Sequence, residues 1–120
     1  MVKLWIDDVR PAPADYIRVF RVQDAIGQIR DWETGKDAML TEFILGHIPM
    51  DYLDRMINHY TIEEIACDND LGEDELEGYK LLDWLETTNR NYPIRILTDN
   101  PVARERMRAI IERNGWTEVK

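Results

Sequence analysis

Ile65-Ala66-Cys67-Asp68-Asn69-Asp70-Leu71-Gly72 is a short apolar run that passes directly into an acidic loop closed by glycine. The run is short, apolar and bounded by turn residues, which predicts a buried strand over Ile65–Cys67. Two other segments have the same form. Val2–Ile6 ends in Asp7-Asp8-Val9-Arg10-Pro11, and Ile94–Leu97 ends in Thr98-Asp99-Asn100-Pro101. A strand-like Tyr16–Val22 and a closing Trp116–Val119 complete the candidate strands.

Between them, apolar residues recur at helical spacing. Ala25, Ile26, Ile29 and Trp32 mark a helix over 24–32. Met39, Leu40, Phe43 and Ile44 mark a second over 37–46. Leu53, Met56, Ile57 and Tyr60 mark a third over 50–60 after the break at Ile48-Pro49. Leu81, Leu82, Trp84 and Leu85 follow, then Ala103, Met107, Ile110 and Ile111, with Gly115 where a C-terminal cap belongs. Strands alternating with helices predict an α/β sandwich on a mostly parallel sheet of four to five strands. The 120 residues fit one domain, 1–120, and suffice for a core without disulfide staples.

The formal net charge is −9, from 15 Lys+Arg against 24 Asp+Glu. This excludes a broad nucleic-acid surface, which needs a Lys/Arg field. It leaves room for a local phosphate site. The one cysteine, Cys67, excludes an internal disulfide and a Cys-rich zinc site, and reads as a buried strand residue. No apolar run nears the roughly 18 residues of a membrane span, and the N-terminus has no secretory pattern. A soluble, cytoplasmic protein with no membrane contact is the expectation.

In a doubly wound sheet, ligands bind outside the carboxyl ends of the strands. The three polar loops should therefore meet at one edge. Carboxylates converging there repel one another unless a cation or donors compensate them. Asp7, Asp8, Asp68 and Asp70 are the candidate metal ligands. Mg²⁺ or Mn²⁺ is the expected cofactor, because a hard cation takes carboxylate oxygens and keeps waters for a phosphate. Asp8 and Asp70 are the candidate catalytic carboxylates. Arg10, Asn69, Thr98, Asn100 and Arg104 are the candidate ligand-binding residues, the arginines as planar forks for phosphate oxygens. Asn100-Pro101 also opens a helix whose N–H groups favour anions. The stretch Glu63–Glu77 holds eight carboxylates and no basic residue. Its Glu73–Glu77 part reads as a solvated loop or as a surface for a basic protein partner. His47 and His59 lie in the middle helices and read as surface or structural residues.

Asp7-Asp8-Val9-Arg10-Pro11-Ala12-Pro13, Asp68-Asn69-Asp70-Leu71-Gly72, Gly78-Tyr79 with Trp84-Leu85, and Asn100-Pro101-Val102 with Arg104 and Met107 together carry a resemblance. They resemble the cyclic-phosphate processing receiver-like family, a variant of the response-regulator receiver fold. The resemblance covers about 2–29 and 65–111, and 33–60 reads as a helical insertion. It implies a receiver-like (flavodoxin-like) three-layer sandwich with an acidic strand-end pocket. It implies Asp7 and Asp8 as the first-strand acidic pair, and Asp68 and Asp70 as the third-strand residues. It implies processing of cyclic phosphate esters in a small molecule or at an RNA end. The family usually carries a histidine where this chain has Asn69, and His-Ser where it has Leu97-Thr98. Histidine is the side chain best suited to proton transfer near neutral pH. Three readings follow: a metal- and phosphate-binding receiver-like domain, a catalytically degenerate acidic protein that binds and modulates a partner, and a conventional phosphorelay receiver.

Overall fold

The computed structural model describes residues 1–120. Five strands form one sheet: β1 (Val2–Ile6), β2 (Tyr16–Val19), β3 (Ile62–Cys67), β4 (Ile94–Ile96) and β5 (Glu118–Val119). Their order is β2-β1-β3-β4-β5, and every neighbouring pair is parallel. The helices are α1 (Val22–Ile44), α2 (Met50–Tyr60), α3 (Tyr79–Thr87) and α4 (Pro101–Asn114). The alternation of elements predicts the α/β sandwich, and the strand order is the receiver-like, flavodoxin-like one that the resemblance implies. No helix is long and apolar enough to cross a membrane.

The direction of the crossovers decides the layers. The connections β2→β3, β3→β4 and β4→β5 all step the same way across the sheet. Right-handed crossovers then put α1, α3 and α4 on one face. Leu4, Ile6, Ile65, Cys67, Ile94 and Ile96 meet them there, with Ile29, Leu81, Leu82, Leu85, Met107 and Ile111, in one buried core. The β1→β2 step runs the opposite way and is made by the loop 7–15, without a helix.

The three-layer arrangement that the resemblance implies would place helices on the other face as well; with no helix between β1 and β2, that face is covered by the loop and by long side chains of the sheet itself. Lys3, Trp5, Tyr16, Glu64 and Arg95 share it by register. The Glu64 carboxylate accepts from Arg95 Nε at 2.8 Å and from the Tyr16 hydroxyl, and Trp5 meets Tyr16 edge to face. These contacts let a charged residue sit buried in a central strand. Burial pushes the Glu64 carboxyl up, but the Arg95 and Tyr16 hydrogen bonds outweigh it and hold it low.

Several element boundaries differ from expectation. The two helices expected over 24–32 and 37–46 are one helix. Gly35 does not break it, because a Cβ there would lie 2.5 Å from Tyr60 Cε1, so the missing side chain admits the Tyr60 ring of α2. The helix starts at Val22, not Asp24, since Val22 is buried in the core. The strand expected over 16–22 accordingly stops at Val19. β3 begins at Ile62, three residues early: Ile62 pairs with Val2 and is buried, while Glu63 and Glu64 disguised the strand. β4 ends at Ile96, one residue short, because Leu97 already turns into the Thr98 loop, and β5 is only Glu118–Val119. His47 lies in the turn after α1, where Gly46 (φ +79°) stops the helix and the His47 N–H bonds the Glu42 carbonyl.

Candidate metal and phosphate site

The sheet register builds the site. Ile6 pairs with Cys67, so the next residues, Asp7 and Asp68, leave adjacent strands side by side. The Asp68 N–H donates to the Ile6 carbonyl at 2.9 Å, and the Leu97 N–H to the Cys67 carbonyl at 2.9 Å. These bonds draw the ends of β1, β3 and β4 together. The junction of β1 and β3 is also where the strand order reverses, the crevice at which such sheets bind ligands.

Asp7 is fully buried. Its Oδ1 accepts from the N–H groups of Val9 at 2.9 Å and Arg10 at 3.1 Å, and its Oδ2 from Arg10 Nη1 at 2.9 Å. Burial raises its pKa, but these three donors prevail and hold the carboxyl below the ordinary range. Asp68 is pushed the other way. Burial raises it most, the Asn69 N–H at 2.8 Å opposes this, and the charges of Asp7 and Asp70 add to the rise. Arg10 spans the cluster, with Nη1 at 3.4 Å from Asp68 Oδ2 and Nη2 at 2.9 Å from Asp99 Oδ2.

One oxygen of each of Asp7, Asp8 and Asp68 lies within 4.8 Å of the others. Asp8 Oδ1 is buried and has no hydrogen-bond partner. A buried carboxylate oxygen without a donor is costly. The donor set is carboxylate oxygen only, which suits Mg²⁺ or Mn²⁺ rather than a soft metal. These residues fit a hard cation. Gly72 approaches the same carboxylate: at φ +113° it occupies a region that favours glycine, and its Cβ would lie 3.4 Å from Asp8 Oδ2.

The remaining predicted residues divide. Asp70 is exposed on the rim of the depression that Asp8, Arg10 and Asp68 line, and its Oδ1 accepts from the Gly72 N–H at 3.2 Å. Asn69 is buried and tied locally, donating to Glu77 Oε2 at 3.1 Å and accepting from the Tyr79 N–H at 3.2 Å. Thr98 Oγ1 accepts from the Asn100 N–H at 3.2 Å. Asn100 caps α4 by accepting from the Val102 and Ala103 N–H groups. It also lines a second depression with Asn69, Asp70 and Glu77. Arg104 is not brought to the acidic cluster; it lines a separate depression with Arg95, Arg108 and Glu118.

Two participants carried no assigned role in the sequence reading. Asp99 anchors Arg10, and its place between Thr98 and Asn100 was the available signal. Gly78 sits so close to Asp68 that a Cβ would fall 1.7 Å from the Asp68 carbonyl oxygen. It lets the start of α3 support the loop that holds Asp68.

The sequence profile of the cyclic-phosphate processing receiver domain matches residues 2–113. No curated protein and no solved structure shows significant similarity to the chain.

Proposed function

From a chain that belongs to the cyclic-phosphate processing receiver domain family, we propose a domain that binds a divalent cation and a phosphate-bearing ligand at the β1/β3 edge. Asp7, Asp8 and Asp68 would hold Mg²⁺ or Mn²⁺, with Asp70 at the rim within reach of bound water. The observation that carries this reading is the unpartnered, buried Asp8 Oδ1 beside two further carboxylates. When bound, such an ion polarises phosphate oxygens and offsets the charge that develops on them. Arg10 would contact the phosphate by exchanging a carboxylate for a phosphate oxygen, because its planar fork suits both. Thr98, Asn69 and Asn100 would shape the wall beside it. Arg104, on its own depression, would meet only a second charged group of a longer ligand.

Hydrolysis of a cyclic ester would rely on Asp8 and Asp70 for proton handling. Calorimetric titration with Mg²⁺ and Mn²⁺ tests the metal role. Binding that is weakened at least about tenfold in Asp8→Asn, or some 1.4 kcal/mol, supports it. No binding at millimolar metal, or equal binding in the variant, rejects it.

A second reading has its own observation. Asn69 and Thr98, neither of which titrates near neutral pH, spend their side chains on local hydrogen bonds, and both histidines, His47 and His59, lie outside the strand-end loops. That favours a non-catalytic protein whose acidic loop binds and modulates a basic partner. Charge reversal across Glu73–Glu77 should then abolish partner capture at low salt, since such association is screened by salt.

A further inference from the structure

α1 is 23 residues long, about 34 Å of helix. Its buried residues, Val22, Ala25, Ile29 and Trp32, all lie in its first half. It starts at the carboxyl end of β2, so it runs back across the sheet and continues past the opposite edge. α2 returns antiparallel to feed β3. The pair forms an arm that stretches the molecule to 50 × 29 × 26 Å.

The end of this arm is apolar and uncovered. Ile44 is 79% exposed, Leu45 60% and Met50 54%, and Leu40 and Tyr52 are also exposed. Leu40 and Ile44 are one turn apart on α1, and Met50 opens α2 just beyond the connecting turn. An exposed apolar patch rimmed by polar residues marks an interaction surface. The rim is mainly acidic, with Arg55 over the Tyr52 ring at 5.8 Å from its centroid. Asp37, Asp51 and Asp54 are exposed, Glu42 is half-buried beside His47 Nδ1 at 2.8 Å, and no Lys or Arg occurs from 37 to 54. Met39 and Met50 add adaptable surface of the kind that accepts an incoming helix.

We propose that the tip of the α1–α2 arm is a docking surface for an amphipathic protein helix whose apolar face is flanked by Lys and Arg. Apolar anchors would seat on Leu40, Ile44, Leu45 and Met50, and the flanking cations would meet the four carboxylates. A second copy of this chain is a poor occupant, because its own tip is equally acidic. An anionic membrane surface is disfavoured for the same reason. The surface lies at the edge opposite the acidic site and does not depend on how that site is used.

The test is a titration of the isotope-labelled full chain with a synthetic amphipathic peptide of about five helical turns. Its apolar face carries Leu and its polar face Lys and Arg. Amide shift changes confined to about residues 39–53, and affinity reduced about tenfold in Ile44→Asp, support the proposal. So does a several-fold loss in Glu42→Lys/Asp51→Lys. Ile44 is largely exposed, so the variant should keep the wild-type melting temperature, and Met50→Asp serves as a second probe. Three results would overturn the proposal: no shifts at the tip at millimolar peptide, equal binding by a scrambled peptide of the same composition, or equal binding by an acidic twin. Concentration-dependent dimerisation abolished by Ile44→Asp, or tip-dependent binding to anionic vesicles without peptide binding, would assign the surface to those occupants instead.

Discussion

At the scale of single residues, Arg10 is the one to change first. Its guanidinium already offsets the charge of Asp7 and Asp68 at 2.9 and 3.4 Å. A divalent cation at the same carboxylates would have to share that space with a like charge. Arg10→Gln is therefore expected to tighten Mg²⁺ binding, by about tenfold or 1.4 kcal/mol, and to weaken binding of inorganic phosphate to the loaded protein. Calorimetry of both ligands checks the two opposite signs. Gly78 acts on the same site through the backbone. With the Asp68 carbonyl 1.7 Å from its would-be Cβ, Gly78→Ala must displace the Asp68 loop. The expected cost is about 2 kcal/mol of stability, the scale of overpacking in a core, read by chemical denaturation.

At the scale of elements, α1 makes two opposite predictions from the same substitution. Gly27 lies mid-helix, and a Cβ added there would meet nothing within 4 Å, whereas Gly35 faces the Tyr60 ring at 2.5 Å. Gly27→Ala should stabilise by up to about 1 kcal/mol, because alanine is the better helix former. Gly35→Ala gains the same propensity but pushes α2 aside, and should destabilise by about 1–3 kcal/mol. Thermal melts of the pair check both signs. The middle of α1 is tied down by Glu33, which takes a bidentate pair from Arg90 and the Tyr92 hydroxyl. That clamp keeps the arm's base fixed while its tip stays uncovered.

At the scale of the molecule, the radius of gyration of 15.5 Å exceeds the roughly 13.6 Å typical of this length. The arm accounts for the excess. The sheet is held on its helix-free face by Glu64, Arg95 and Tyr16, which gives stability a pH dependence. Glu33 and Glu64 are shielded from water, which alone would raise them, yet their hydrogen-bonded partners hold both carboxyls low. A folded pKa below the unfolded value stabilises above about pH 4.3, and the contribution is lost as pH falls through the folded pKa. The denaturant midpoint should therefore drop as the pH falls from about 5 toward 3, with a shallower fall in Glu64→Gln.

The fold class and the meeting of three strand-end loops were legible along the chain, because apolar runs, glycines and prolines are local signals. So was the burial of Cys67, which lies in the core. The gap between the helices expected over 24–32 and 37–46 was misleading, since only the ring of Tyr60, 25 residues from Gly35, explains why a glycine stands in an unbroken helix. The same holds for β3, whose charged residues Glu63 and Glu64 look unlike a strand until Arg95 and Tyr16 are in place. Which aspartates converge was also beyond reach of the local pattern. A loop start breaks the alternation of faces, and only the pairing of Ile6 with Cys67 puts Asp68 rather than Asp70 beside Asp7. Sequence by itself determined the alternation of strands and helices and the carboxylates available. Tertiary structure alone decided their partners, because register and crossover direction arise between strands that are far apart in the chain.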